Sequence, residues 1–262
     1  MTGEHEPLLE GTLISHLLEL RTRLMRAFVA VMLVFIPCAF YSNQIFAWMS
    51  LPLLHELPAN SALISTSITA PFTTPLKLSF VVGLLIAMPY VLFELWSFIA
   101  PGLYRHEKRF AVPLLLSAIL LFYAGAAFAY YIVFPLIFSF FVHTSPPGVQ
   151  MMADITMYMD FVLKLLFCFG LAFEVPVAVV ILVVLGVVQI EKLTKIRGYV
   201  LIAVFVIAAV ITPPDAVSQT IMAVPMYLLY EGGILFARLL KPMPKKAPDA
   251  GQADSDDSAT PS

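Results

Sequence analysis

Glu174 occupies the costliest position of any acid in this sequence. It stands near the middle of an apolar run from about Phe161 to Val188. An ionisable group there costs a few kcal/mol and turns towards protein or water rather than lipid. Two chemistries suit such a carboxyl. It takes part in transport, as a polar contact or proton carrier, or it stays neutral and hydrogen-bonded and holds helices together. Thr212 and Gln219, in or beside two short apolar stretches further on, are expected to face the same concave side. Asp215 follows Pro213-Pro214 and is placed to cap the last helix, its carboxylate on orphan amides.

Other acids stand in basic surroundings. Glu107 is the only acid beside Arg105, Lys108 and Arg109, and taken alone it reads as a solvated loop charge. Glu19 lies four residues before Arg23, an i,i+4 pair worth a few tenths of a kcal/mol on a helix face. Glu94 and Glu231 fall near the ends of apolar spans and read as interfacial. No H-E-x-x-H, G-x-S-x-G, Walker loop or metal-spaced His/Cys cluster occurs. No catalytic residue, metal, cofactor or nucleic-acid partner is therefore expected.

The elements that must carry these residues are membrane helices. Of 262 residues, 60% are hydrophobic and 12% are charged, against roughly 25% charged in an ordinary soluble domain. Water cannot accommodate that much apolar surface, so lipid is the fitting solvent. Apolar runs over about 26–45, 76–96, 110–134 and 161–188 are each long enough to cross. Two shorter runs, about 199–211 and 221–230, flank Thr212-Pro213-Pro214-Asp215. The expected fold is all-α, with six transmembrane helices of which the fifth and sixth are short.

Leu13, Leu17, Leu20 and Leu24 make one apolar stripe, so residues of about 10–25 form an amphipathic helix leading into the first span. Glu4, Glu6 and Glu10 stand where a cleavable signal peptide would carry bases. The membrane domain is expected over 1–246. Residues 247–262 form an acidic, disordered tail with no assigned function. Cys38 and Cys168 sit in apolar runs and read as small hydrophobes.

Lys and Arg set the orientation. Arg21, Arg23 and Arg26 precede the first span, and Arg105, Lys108 and Arg109 separate the second and third. Lys192, Lys195 and Arg197 separate the fourth and fifth, and Arg238, Lys241, Lys245 and Lys246 follow the sixth. The positive-inside rule then places both termini in the cytoplasm. Lys77 and Lys164 lie at helix edges on the other side, where their stems snorkel.

The chain resembles the TatC family, the multispanning core subunit of the twin-arginine protein translocase. The resemblance rests on His16-Leu17-Leu18-Glu19-Leu20-Arg21, Ser50-Leu51-Pro52-Leu53, Trp96 through Arg109, Phe173-Glu174-Val175-Pro176, and Thr212-Pro213-Pro214-Asp215. It implies a glove-shaped receptor in the bacterial inner membrane for signal peptides carrying two consecutive arginines. Glu19 and Glu107 would receive those arginines, with Arg21, Leu103 and Arg105 beside them. The resemblance further implies TatA and TatB as partners around Glu174, Thr212 and Gln219. It also implies a homo-oligomer within a hetero-complex, and folded cargo driven by the proton motive force. The alternative is a proton-coupled secondary transporter of small solutes with Glu174 as the coupling carboxylate. That class is marked by related repeats, and none stands out here.

Overall fold

The structure is a computed structural model describing the backbone of residues 6–56, 63–99, 108–144, 146 and 152–240, with side chains described for 17–55, 63–98, 112–144, 146 and 152–240. The tail expected over 247–262 and the loop bearing Leu103, Arg105 and Glu107 lie outside the described residues. Among the described residues the chain is helical, with a single isolated bridge between Ile64 and Asp154.

Helix α1 runs unbroken over Glu6–Phe40. The amphipathic segment and the first span are one rod, because no glycine or proline interrupts the chain between Thr12 and Ile36. Helix α2, Ser42–Glu56, fills the start of the proline-bearing stretch after it, and α3 spans Ala70–Ile99. Helix α4, Lys108–Phe128, continues through a π-helical turn at Ala129–Val133 into α5, Phe134–Thr144. Pro135 therefore does not end the third span. It falls in the first turn after the widened one, where a missing amide does least harm.

Helix α6 covers Ile155–Val184 and ends on Gly186, whose φ of 73° is the left-handed conformation that closes a helix. Short α7, Ile190–Lys195, leads to α8, Arg197–Ile211, and α9, Ala216–Leu240.

Five segments are long and apolar enough to cross a membrane: Leu17–Phe40, Ala70–Phe98, Val112–Thr144, Ile155–Val184 and Ala216–Leu240. Helix α8 is shorter, 15 residues, and reaches roughly 22 Å at 1.5 Å per residue. The short fifth helix agrees with expectation, but the sixth is longer than its apolar run of 221–230. It continues past Glu231 because that carboxylate is paired within the protein rather than left to face lipid.

The helices pack in alternating directions. Phe35 of α1 meets Phe80 of α3 edge-on, ring centroids 5.6 Å apart. The α4–α5 rod lies antiparallel to α6, with Phe138 against Tyr158 at one end and Phe128 against Phe169 further along. Helix α9 runs parallel to α6. Phe134, Ile137, Met159, Leu165, Phe169 and Met222 are buried at the centre. Leu33, Leu116, Ile202 and Val210 point outwards. With apolar side chains facing out as well as in, the molecule is a multi-pass membrane protein.

At the end where α3 and α6 begin, hydrogen bonds and an ion pair fasten the bundle. The amides of Ile64 and Ile155 donate to the carbonyls of Ala153 and Ile64, at 3.0 and 2.9 Å. Lys77 of α3 pairs with Asp160 of α6 at 2.5 Å. That lysine, expected to snorkel, instead meets a carboxylate on the neighbouring helix.

Candidate functional site

At the opposite end, where α1 enters and α3 leaves, Arg23 joins two carboxylates. Its Nη2 and Nε both donate to Glu19 Oε1, at 2.6 and 3.0 Å. Its Nη1 donates to Glu94 Oε2 at 3.2 Å. Tyr90, one turn before Glu94, donates its hydroxyl to the other oxygen, Oε1, at 2.9 Å. The helical spacing of Glu19 and Arg23 provides the first contact, and the antiparallel packing of α1 on α3 provides the second.

The two acids differ in access. The Glu19 side chain is 39% exposed, Arg23 is 22%, and Glu94 only 5%. Glu94 is thus a buried carboxylate held by a guanidinium and a phenol, not the interfacial charge its position suggested. Sequence reasoning missed this link because the partners are 71 residues apart. The one local signal was Tyr90 four residues before Glu94.

A second cluster, which repeats the arginine, glutamate and tyrosine but has no counterpart of Glu19 among the described residues, lies at the same end. Arg197, opening α8, pairs with Glu231 Oε2 of α9 at 2.7 Å, and Tyr227 donates to Glu231 Oε1 at 2.9 Å. Here too a tyrosine precedes the acid by four residues and the arginine comes from the neighbouring helix. This cluster is more open, with Arg197 and Glu231 side chains 40% and 27% exposed.

Arg21 and Arg26 have no ion-pair partner among the described residues. They border an open groove of about 680 Å³ along α1 that also touches Leu18, Met25, Leu33 and Tyr90. Glu19 and Arg23 line a smaller groove of about 300 Å³ beside it. A guanidinium-accepting carboxylate, two cations unpaired among the described residues and an apolar floor therefore share one face.

Glu174 lies apart from this cluster. Its Oε1 is buried and has no hydrogen-bond partner among the described residues. Nor does it meet Thr212 or Gln219. Gly233 of α9 abuts Pro176 of α6, where an added Cβ would come within 2.8 Å of the Pro176 Cα. Parallel packing then sets Glu174 level with about Glu231, roughly 20 Å along α9 from Gln219 at 1.5 Å per residue. The polar residues at the start of α9 and Glu174 therefore lie at different depths of the bundle.

Thr212 is buried and spends its hydroxyl on the Ala208 carbonyl at 2.9 Å. Asp215 caps α9 as expected, accepting from the Ser218 amide at 2.7 Å and from the Ser218 hydroxyl. Burial works against its charge, but the bonds from Ser218 and the Val217 amide outweigh it and hold the carboxyl below its ordinary value.

Comparisons with known proteins agree on one family. A family model described as Sec-independent protein translocase protein (TatC) matches residues 15–225. The chain is 48% identical over 241 residues to the Sec-independent protein translocase protein TatC of Azotobacter chroococcum mcd 1, covering 92% of this chain and 94% of that one. It is 49% identical over 226 residues to that of Escherichia coli (strain K12), covering 86% and 88%. A crystal structure of the twin arginine translocase receptor TatC superposes with a TM-score of 0.78 at 40% identity, covering 86% of this chain and 98% of that chain.

Proposed function

The chain belongs to the TatC family and is a component of the Sec-independent, twin-arginine translocase, and from that premise we propose that Glu19 and Glu107 receive the paired arginines of a signal peptide. Both termini and this end of the bundle lie in the cytoplasm of a bacterial inner membrane, where newly made cargo arrives. The observation that carries the reading is the Glu19 carboxylate, half-exposed and already accepting a guanidinium from Arg23. A carboxylate grips the planar arginine fork through parallel bonds, which the point charge of lysine cannot reproduce.

Arg21, Leu103 and Arg105, near the two acids in sequence, are proposed to bind the same peptide. The apolar segment of the signal peptide lies along α1 towards the bundle. Glu174, Thr212, Asp215 and Gln219 are proposed as polar contacts for TatA and TatB in a complex holding several copies of this chain. The protein does no bond-breaking itself, and the proton motive force drives passage of folded cargo. A secondary transporter of small solutes finds no support in relatives named as translocase proteins.

The test is binding of a synthetic twin-arginine signal peptide to the translocase carrying wild-type chain or the Glu19→Ala/Glu107→Ala double variant. Binding is expected to fall sharply in the double variant. Undiminished binding would remove both residues from the site.

A further inference from the structure

We infer that Arg23 is a built-in competitor for the peptide-binding carboxylate, occupying Glu19 until a cargo arginine displaces it onto Glu94. The inference rests on the reading of Glu19 given above and adds how that carboxylate is kept until cargo arrives.

One guanidinium stands between two carboxylates of unequal access. Arg23 reaches Glu19 at 2.6 and 3.0 Å and Glu94 at 3.2 Å. Both bonds to Glu19 end on the single oxygen Oε1. The strongest arginine–carboxylate geometry uses two parallel bonds to two oxygens, so an incoming arginine makes a better pair with Glu19 than Arg23 does. Displacement would strand a partly buried cation, were there no second acceptor beside it. Glu94 is that acceptor. It is too buried to meet a peptide, it is held in place by Tyr90, and it already takes one bond from Arg23. The accessible acid binds cargo and the inaccessible one retains the displaced arginine.

An internal competitor weakens every cationic ligand by the same factor. It leaves the ratio between arginine and lysine peptides unchanged but raises the affinity that any peptide needs to hold the site. Arg23 and Glu94 therefore set an affinity threshold, without themselves touching cargo and without changing the preference between ligands.

The test uses the full chain in its translocase, with synthetic signal peptides carrying Arg-Arg or Lys-Lys. Arg23→Met combined with Glu94→Gln removes the competitor without stranding a buried charge, and the new side-chain amide keeps an acceptor for Tyr90. Both peptides are expected to bind about two- to fivefold tighter, as release from a half-exposed ion pair implies, with their ratio unchanged. Glu94→Gln alone leaves Arg23 more firmly on Glu19, so binding is expected to weaken. Opposite signs in the two variants cannot come from loss of structure, and equal thermal melting of the two preparations checks it. Unchanged or weaker binding by the double variant would overturn the inference. Glu19→Gln is the separate control: if it leaves Arg-Arg binding intact, the underlying reading of Glu19 falls and takes this inference with it.

Discussion

Gly125 of α4 rests directly on the backbone carbonyl of Phe169 in α6: a Cβ at this position would lie 2.5 Å from that oxygen and 2.9 Å from Cγ of Phe173. The obstacle is main chain, which no rotamer change relieves. Gly125→Ala is therefore expected to cost about 1–3 kcal/mol, the range for forcing atoms into a filled site. Thermal unfolding in detergent checks it, and a melting temperature equal to wild type would contradict the packing described.

The two Arg–Glu–Tyr clusters should respond unequally to loss of their arginines. Glu94 is 5% exposed and Glu231 is 27% exposed. Arg23→Ala strands a buried carboxylate and is expected to cost about 3 kcal/mol. Arg197→Ala leaves a charge that water reaches and should cost under about 1 kcal/mol. Adding Glu94→Gln should restore most of the stability lost in Arg23→Ala. Equal losses in the two single variants would refute the difference in burial as their cause.

Asp154 makes stability depend on acid. Its carboxylate accepts from the Thr66 hydroxyl at 2.7 Å and the Thr66 amide at 3.0 Å, and from the Met157 and Thr156 amides at 3.1 and 2.9 Å. These bonds hold the carboxyl down at about 2. Folding favours the ionised form, so the stabilisation is fully present above the ordinary Asp value of about 4 and is lost as pH falls from there towards about 2. Wild type and Asp154→Asn should melt furthest apart at neutral pH and converge below about pH 3. A gap that widens in acid would reverse the assignment.

Glu174 separates stability from function. Because its buried Oε1 has no partner among the described residues, Glu174→Leu removes an uncompensated polar atom and should leave thermal stability equal to or above wild type. Export of a twin-arginine reporter should nonetheless drop if the carboxyl contacts a partner. Full export with raised stability would make it dispensable.

Much of the frame was legible in the sequence because lipid imposes long apolar helices whose lengths can be counted. The Glu19–Arg23 pair and the Asp215 cap were legible for a different reason: both partners lie within one helical turn. What escaped was set by contact between distant segments. Glu94 finds its cation 71 positions away, and Glu231 of α9 finds its own in α8, 34 positions away. The close approach at Gly125 leaves no spacing signature, since a lone glycine meets the backbone of another helix rather than a matching small residue. Separation of Glu174 from Gln219 follows from the parallel registry of α6 and α9, which no local pattern encodes.

The clip between Ile64 and the start of α6 bears on the order of assembly. Ile64 bonds to Ala153 and Ile155, and Thr66 bonds to Asp154, 88 positions further along the chain. The segment ahead of α3 must wait, unlatched, while α3, α4 and α5 are delivered to the bilayer. Closure of the latch can follow only after α6 is made, so it is a late event in biogenesis.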